Sequence, residues 1–306
     1  MLILEPVSNN KIWGTTRLHK YGGDKNIDTV GSVYTASAIN EIQTKIVFDS
    51  DEQFAGLTFY EAVNSNPELF GLESDTKEYP LIISITGADE DLSIQVHPTD
   101  DFAEEYENRL TGKSESWYFI EAPESGSIYA ESKLKDKESI KKLITLGEVD
   151  NVVDRLDVRQ GDLVYIPSGT LHALTKGALV YEIQQSTDLT YRFFDYNRVD
   201  SKGNKRELHL EKAIETLNTD SKVDKNIFNL GDSSEVREYR LDYKNIGGKK
   251  YVNTEDIAQV ITIIEGSVFI DKNELNLGTS VVVMPGEQVQ FKDGICNAII
   301  ATPIKY

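Results

Sequence analysis

Apolar and polar residues alternate along most of the chain in short runs, a pattern typical of β-strands. β-Branched and aromatic residues recur in these runs, which are bounded by Gly, Pro, Asn and Asp. The clearest predicted strands are Thr44–Phe48, Leu81–Ile85, Leu92–Val96, Ser116–Ile120, Leu163–Ile166 and Leu179–Gln184. The pattern predicts a mainly β protein, either a sandwich or a barrel.

Helical spacing of apolar residues occurs in only a few segments. In one of them Thr99 is placed as an N-cap, and in another Gly147 follows the last apolar position as a stop signal. The predicted helices are Thr58–Leu69, Asp100–Leu110, Lys137–Leu146, Val149–Leu156 and Glu211–Leu217. Short helical insertions into the β structure are therefore expected near 100–110 and 137–156.

A polar segment, Asn218–Tyr243, has little apolar periodicity and predicts a connection between domains. We expect a larger domain over 1–230 and a smaller β domain over 231–306. Gly278–Gly286 resembles the earlier run Gly161–Gly169, which indicates a diverged internal repeat. The later copy has no histidine after Pro285, so a metal site is expected in the first domain only.

The charge of the chain excludes several classes of partner. Its 306 residues carry 32 Lys and Arg against 51 Asp and Glu, a formal net charge of −19. Such a surface repels nucleic acid backbones and anionic membrane surfaces. Cys296 is the only cysteine, so no intramolecular disulfide forms, and the first residues lack the pattern of a signal peptide. A cytoplasmic protein is expected.

Two of the four histidines lie in unusual contexts. In the strand Ser93–His97, alternation places Ser93, Gln95 and His97 on one face. Amide oxygen and imidazole nitrogen can both bind zinc, although a solvent-facing strand edge also explains this segment. His172 follows a strand and a turn in which Gly169 permits a positive φ. His172 can be interpreted either as a metal ligand or as a core histidine that is hydrogen-bonded to the backbone.

A carboxylate is available in the segment Gly112–Tyr118. Lys113 and Glu115 alternate onto one strand face, which places a cation beside a candidate metal ligand. A solvated ion pair is the alternative, because Lys and Glu two residues apart on a strand are common.

Four motifs follow one another along the chain. They are Gln95-Val96-His97-Pro98, Gly112-Lys113-Ser114-Glu115-x-Trp117-Tyr118, Pro167-x-Gly169-x-x-His172-Ala173-Leu174 and Tyr181-Glu182-Ile183-Gln184-Gln185-Ser186-x-Asp188-x-Thr190-Tyr191-Arg192. An opening Lys11-Ile12-Trp13-Gly14 precedes them and Asp195-Tyr196-x-Arg198 follows. Taken together, they resemble the motifs of type I mannose-6-phosphate isomerases, zinc enzymes of the cupin superfamily, in that family's order and at the spacings of its short bacterial branch.

The resemblance implies two cupin-like β-barrel (jelly-roll) units and one zinc ion per chain. His97, Glu115 and His172 would be the zinc ligands, with Gln95 as a possible fourth. Arg192 and Lys113 would be catalytic and, with Ser93, would bind a phosphorylated hexose. The implied reaction interconverts mannose 6-phosphate and fructose 6-phosphate by moving a proton between C1 and C2. The base stays open between a hydroxide at the metal and Lys113 with a lowered pKa.

Two positions depart from the family pattern. Ser32 stands where a glutamate is usual, in Gly31-Ser32-Val33-Tyr34, and Ser84 stands where a lysine is common. The two changes suggest either that a buried ion pair was replaced as a unit or that substrate choice or activity is altered.

Two other functions use the same residues. A non-catalytic zinc cupin could bind a sugar phosphate as a sensor. An iron-dependent cupin oxygenase could use two histidines and one carboxylate as a facial triad, although Gln95, Lys113 and Arg192 fit a polyol phosphate better.

Overall fold

The structure is a computed structural model that describes residues 1–50, 52–199 and 202–304, and β-strands dominate it. The first strands are β1 (Leu2–Glu5), β2 (Val7–Asn10), β3 (Val30–Ala36), β4 (Ala38–Ile39), β5 (Ile42–Gln43), β6 (Lys45–Asp49), β7 (Leu81–Gly87) and β8 (Ile94–Val96). Next come β9 (Glu115–Glu121), β10 (Ser127–Ser132), β11 (Val153–Asp157), β12 (Asp162–Ile166), β13 (His172–Ala173), β14 (Leu179–Gln185) and β15 (Tyr191–Phe194). The last are β16 (Asp224–Ile227), β17 (Ser233–Glu235), β18 (Tyr239–Asn245), β19 (Lys250–Val252), β20 (Gln259–Gly266), β21 (Val268–Ile270), β22 (Asn273–Leu275), β23 (Ser280–Val283), β24 (Gln288–Gln290) and β25 (Cys296–Pro303).

The helices are short. The α-helices are α1 (Phe59–Ser65), α2 (Asp100–Glu107), α3 (Lys137–Thr145) and α4 (Leu210–Thr216), and 3-10 helices span Thr16–Tyr21, Pro67–Phe70 and Val149–Asn151. All four α-helices lie within or next to predicted ones. Side-chain N-caps mark the start of α1 and α2: the side chain of Thr58 accepts from the amide of Glu61, and that of Thr99 accepts from the amide of Phe102.

One helix prediction is wrong. Val149–Leu156 begins as a single 3-10 turn, but Val153–Asp157 continues as strand β11, which pairs antiparallel with β10. Val152 and Val153 are fully buried. Two adjacent β-branched residues favour extended backbone once a neighbouring strand offers hydrogen bonds, and this partner outweighs the local helical spacing.

The chain divides into two compact units whose limits differ from the predicted domains. One unit contains Met1–Asn10, Thr16–Thr86 and Phe228–Tyr306, and the other contains Lys11–Thr15 and Gly87–Ile227. One border falls close to residue 230, but most of 1–86 groups with the C-terminal segment. The reason is strand pairing, because β1 lies between β6 and β23, with Leu2 opposite Val282.

The unit that contains both chain ends is built on a sheet of order β17-β18-β25-β20-β23-β1-β6. Its core is made of branched aliphatic side chains such as Ile261, Val281 and Ile300. Strands β17, β18 and, in the other unit, β16 lie within the segment predicted to be a connection. That segment is therefore more regular than its polar sequence indicates.

Ser32 and Ser84 lie in this unit on the neighbouring strands β3 and β7. The Thr86 hydroxyl is 2.9 Å from the Ser32 hydroxyl and 3.1 Å from that of Ser84, and all three residues are buried. The two departures from the family pattern thus belong to one hydroxyl network. This fits the interpretation that a pair of residues was replaced as a unit.

The other unit carries the candidate chemistry between two sets of strands. One has the order β16-β12-β9-β14 and the other β11-β10-β13-β8-β15, and helix α4 packs on β8 and β15. The strands of the described residues form open sheets, so the mainly β prediction is confirmed whereas no closed barrel is seen. None of the helices in the described ranges is long and apolar enough to span a membrane.

Candidate metal centre

Three predicted ligands meet in the unit that contains Gly87–Ile227. One nitrogen each of His97 and His172 and one oxygen of Glu115 lie within 4.8 Å of one another. The three residues are at most 1% exposed, although they come from distant parts of the chain. A cluster of this composition can hold a divalent metal ion.

Strand register explains how the three side chains meet. In the sheet β11-β10-β13-β8-β15, His172 lies directly opposite Gln95, and residues opposite each other on neighbouring strands share a face. His97 is two residues beyond Gln95 and so points to the same side. Glu115, at the start of β9 in the other set of strands, faces both histidines.

Backbone hydrogen bonds fix the orientation of both imidazoles. Nδ1 of His97 donates to the carbonyl oxygen of Leu189 at 2.8 Å, and Nδ1 of His172 donates to that of Thr170 at 2.8 Å. With the proton on Nδ1, each Nε2 keeps a lone pair. Each Nε2 lies 3.4 Å from an oxygen of Glu115.

The buried ligand atoms fit a metal ion because they make no hydrogen bond that meets the usual geometry, although the Lys113 ammonium lies 3.2 Å from Oε2 of Glu115. Within the described part of the chain, Nε2 of both histidines and both carboxylate oxygens of Glu115 are buried without a hydrogen-bond partner. Leaving four buried polar atoms unpaired is costly, and a cation among them would satisfy all four.

Burial and charge set the protonation states that a metal requires. Desolvation, reinforced by the Lys113 cation and opposed by Glu115, lowers the pKa of His97 to about 4. The pKa of His172 is also lowered, mainly by burial. For Glu115, burial opposes ionisation, but the Lys113 cation beside it prevails and lowers the pKa. Neutral imidazoles and an ionised carboxylate are the metal-binding forms.

Lys113 lies beside the cluster, as the strand alternation predicts. Its Nζ is 3.2 Å from Oε2 of Glu115, and the residue is 5% exposed. Burial lowers its pKa, but the carboxylates of Glu115, Glu182 and Asp188 together outweigh burial, so the pKa is raised. Lys113 is therefore a cation in this arrangement. This direction is the opposite of the lowered pKa that the hypothesis of Lys113 as the base requires.

Gln95 and Ser93 extend the polar face of β8. The Ser93 hydroxyl donates to Oε1 of Gln95 at 3.2 Å, and Ser93 and His97 are 2% and 1% exposed. Because this face is buried, a solvent-facing strand edge does not describe it. By register, Gln95 lies directly opposite His172, and it is two residues before His97 on the same strand face.

Arg192 continues the same line across the sheet. It lies opposite Gln95 on β15, so His172, Gln95 and Arg192 follow one another on adjacent strands. Its Nε is buried and lacks a hydrogen-bond partner in the described residues. The backbone of Arg192 is held by His209, whose amide donates to the Arg192 carbonyl at 2.9 Å.

Arg198, from the later motif Asp195-Tyr196-x-Arg198, belongs to an ion-pair network. Its Nη2 donates to Oδ1 of Asp195 at 2.5 Å and its Nη1 to the carbonyl of Asp91 at 2.6 Å. Asp195 also accepts two hydrogen bonds from Arg206, at 2.7 and 2.5 Å. The charge of Arg198 is thus largely neutralised by its neighbours.

Asp100, at the start of α2, joins three of the recognised motifs. Its Oδ1 accepts from the amide of Gly112 at 2.8 Å and from the side-chain amide of Gln185 at 2.9 Å. Gln185 in turn accepts from the amide of Ser114 at 2.8 Å. These bonds fix the strand start that carries Glu115 beside the segment that follows His97.

Lys11 is the residue near the site to which the sequence assigned no role. It is half-buried, and Asp188, Arg192, Arg206 and Lys113 all act on its pKa. Its position at the head of the Lys11–Gly14 motif was the available signal. Strand alternation could not predict the direction of its side chain, because the segment Lys11–Thr15 contains no strand.

Similar sequences identify the family. The chain is 33% identical to the probable mannose-6-phosphate isomerase GmuF of Bacillus subtilis over 99% of both chains. It is 38% identical to the mannose-6-phosphate isomerase ManA of the same organism, over 72% of this chain and 69% of that protein. None of the scanned protein-family models matches the chain.

The fold agrees with the sequence comparison. The crystal structure of the mannose 6-phosphate isomerase from Bacillus subtilis superposes with a TM-score of 0.82 and 30% identity, covering 98% of this chain and 99% of that one. A putative mannosephosphate isomerase from Archaeoglobus fulgidus shares the fold at a TM-score of 0.78 and 17% identity. Identity above 30% across nearly the full length of a relative shows that the chain belongs to the family of mannose-6-phosphate isomerases.

Proposed function

We propose that this chain is a zinc-dependent aldose–ketose isomerase that interconverts mannose 6-phosphate and fructose 6-phosphate. The buried cluster of His97, Glu115 and His172, whose ligand atoms lack hydrogen-bond partners among the described residues, carries the proposal. Membership of the mannose-6-phosphate isomerase family supplies the substrate.

In this proposal His97, Glu115 and His172 hold one zinc ion, with Gln95 as a possible fourth ligand. Two nitrogens and a carboxylate oxygen are ligands that zinc accepts readily, and an open position remains for substrate. When bound, the ion supplies Lewis-acid polarisation of the substrate oxygens.

The two cations of the site have different tasks. The reaction moves a proton between C1 and C2, and negative charge develops on the oxygens of these carbons. Lys113, fixed beside Glu115 by a 3.2 Å ion pair, orients the substrate hydroxyls near the cluster. Arg192 stays protonated near neutral pH, so it binds negative charge on the substrate and does not act as a base.

Ser93 contributes to substrate binding on the same strand face. Its hydroxyl already donates to Gln95, which leaves its oxygen lone pairs to accept a hydrogen bond from a sugar hydroxyl. Because Ser93 and Gln95 are linked, the serine also fixes the orientation of the amide that would complete the ligand set.

The proposal includes a finer description of the fold. Each compact unit would be a cupin-like jelly roll, of which the unit with Gly87–Ile227 carries the metal and the other contributes burial. The two facing sets of strands around the cluster support this description for the metal-carrying unit.

The test is an isomerase assay on the full chain. Zinc-loaded, folded protein should convert mannose 6-phosphate into fructose 6-phosphate, and treatment with a chelator should abolish turnover until zinc is returned. No turnover by folded, zinc-loaded protein that still binds the sugar phosphate would support a sensor. Oxygen consumption that depends on ferrous iron would support an oxygenase.

A further inference from the structure

Lys11 is anchored in the unit that carries the metal cluster. The amide of Gly14 donates to the Lys11 carbonyl at 2.9 Å, which closes a tight turn, and Asp89 donates from its amide to the Trp13 carbonyl at 2.9 Å. Trp13 is 5% exposed and belongs to the core of this unit, against which Ile12 also packs. The backbone below Lys11 is therefore fixed.

The Lys11 side chain has no direct partner. It is half-buried and makes no hydrogen bond or ion pair with any residue that the structure describes. Burial lowers the pKa of Lys11, and the cations Arg192, Arg206 and Lys113 lower it further. The negative charge of Asp188 acts in the opposite direction but does not prevail. A lysine that is partly desolvated among three other cations destabilises the protein unless an anion joins it.

The neighbouring cations are not equally available to an anion. Arg206 is bound by Asp195 through two hydrogen bonds, and Lys113 is paired with Glu115. Arg192 has no ion pair, and its buried Nε lacks a partner in the described part of the chain. Of these four cations, Lys11 and Arg192 are therefore the two that make no ion pair with a described residue.

The acids that face this pair do not neutralise it. Asp188 raises the pKa of both Lys11 and Arg192, and Glu207 and Asp195 raise that of Arg192. However, Asp188 is solvent-exposed, Asp195 is already bound by two arginines, and Glu207 is 83% exposed in its side chain. In a chain of net charge −19, leaving two half-buried cations without contacts indicates a site for an anionic ligand.

We propose that Lys11, together with Arg192, binds the phosphate group of the substrate. This assignment rests on the proposed function, and it adds a phosphate-binding residue to it. A phosphate monoester carries close to two negative charges near neutral pH, which matches two unpaired cations. An ammonium group and a guanidinium group are also the side chains that bind phosphate best.

The position of the pair suits a substrate that is reactive at one end and charged at the other. Arg192 is separated from His172 by one intervening strand, so their backbones lie about 10 Å apart at the usual strand spacing of about 4.8 Å. The metal cluster would receive the C1–C2 end of the hexose, and Lys11 and Arg192 the phosphate end.

Replacing Lys11 by methionine tests the assignment, because methionine keeps the apolar stem and removes the charge. For the zinc-loaded full chain we expect Lys11→Met to raise KM for mannose 6-phosphate by about tenfold to a hundredfold, with kcat changed less than about threefold. Calorimetric titration with inorganic phosphate should show a similar loss of affinity, and Lys11→Arg should largely restore both. The control Lys25→Met removes an exposed lysine and should change neither.

The unfolding temperature separates a binding role from a structural one. Because Lys11 is repelled by its neighbours, Lys11→Met should unfold at the same temperature as the wild-type chain or higher. A lower unfolding temperature with unchanged phosphate affinity would overturn the assignment. So would a fall in kcat at unchanged KM, which would place Lys11 at the reacting carbons. If Lys11→Met does not fold, Lys11→Gln replaces it under the same criteria.

The phosphate titration also separates this assignment from the proposed isomerase activity. If the wild-type chain binds phosphate through Lys11 but does not turn over mannose 6-phosphate, the isomerase proposal fails while the phosphate site stands. If it turns over the substrate and Lys11→Met leaves KM and phosphate affinity unchanged, the site fails and the isomerase stands.

Discussion

Arg192 lies directly opposite Gln95 in the antiparallel register of β15 and β8. Since Gln95 is also opposite His172, one row across the sheet carries a metal-ligand candidate, an amide and a cation. All three side chains share a face, so the arginine is directed to the side on which Glu115 closes the cluster. In the proposed function, this row connects the metal site with the residue that binds negative charge on the substrate.

We predict that Arg192→Ala acts on the reaction and leaves the metal in place. Arg192 is not a metal ligand, so zinc content should stay close to one ion per chain. Removing one donor that stabilises negative charge on the substrate commonly lowers turnover by about a hundredfold or more. Steady-state kinetics with metal analysis of the same samples measures both quantities.

The matched variant for this prediction is Arg192→Met, which keeps most of the apolar stem. Both variants should fold with similar unfolding temperatures and both should be slow. Loss of zinc or of folding in Arg192→Ala, together with full activity in Arg192→Met, would show that the arginine packs and does not take part in the reaction.

His172→Ala should remove the metal. It deletes one of three protein ligands, and because replacing residues that only orient a ligand already costs about tenfold to a hundredfold in metal affinity, losing the ligand itself should cost more. Zinc content after dialysis measures this. His209→Ala is the matched control, since His209 contacts the Arg192 backbone and lies outside the cluster. Unchanged zinc content in His172→Ala would refute the proposed ligand set.

Much of the site could be predicted because strand alternation is a local property. Ser93, Gln95 and His97 were assigned to one face from their spacing of two, and in the structure Ser93 and His97 are buried and Gln95 is half-buried. Gly169 was expected to adopt a positive φ in the turn before His172, and its φ is +80°. These features depend on neighbouring residues in the chain, which a sequence displays directly.

Features that depend on distant partners could not be predicted in the same way. Nothing near Leu2 indicates that β1 pairs with β23, and so the predicted domain limits differ from the observed units. The sequence also does not indicate that Arg198 is neutralised, because its carboxylate partner belongs to a three-dimensional network around Asp195. Ion pairs between loops cannot be predicted from the spacing of residues along the chain.

Asp195→Asn should lower stability in a pH-dependent way. Burial opposes the charged form of Asp195, but Arg206 and Arg198 outweigh it and lower the pKa below the ordinary 3.8. A carboxylate with a lowered pKa in the folded state stabilises it fully above the unfolded value, and this contribution is lost as the pH falls. The variant should therefore be less stable by about 3 kcal/mol at pH 7.

The difference between wild type and Asp195→Asn should shrink below about pH 4, which urea unfolding at several pH values would measure. Asp220→Asn serves as control, because Asp220 is exposed and its partner Lys135 is exposed as well, so little change is expected at any pH. A difference for Asp195→Asn that does not depend on pH would mean that its charge is not what stabilises this loop.

Gly112→Ala should weaken metal binding although Gly112 has no side chain that could bind a metal. Its amide donates to Asp100, and the next amide, of Lys113, donates to the Pro98 carbonyl at 3.0 Å. A Cβ at Gly112 would lie 2.3 Å from that carbonyl oxygen and 2.5 Å from the Thr99 carbonyl carbon, so the backbone segments must separate. One segment follows His97 and the other leads to Glu115.

We therefore expect Gly112→Ala to lower zinc affinity by about tenfold or more, because moving a ligand by even a fraction of an ångström weakens metal binding. The matched control is Gly126→Ala, where a Cβ meets nothing within 4 Å and only the positive φ of +70° is strained. That strain should cost about 1 kcal/mol of folding stability and leave zinc affinity unchanged. Both variants should unfold at lower temperature than the wild type, but only Gly112→Ala should need more zinc for half-saturation. Equal zinc affinity in the two variants would show that the close packing of residues 98–100 against 112–113 does not set the distance between His97 and Glu115.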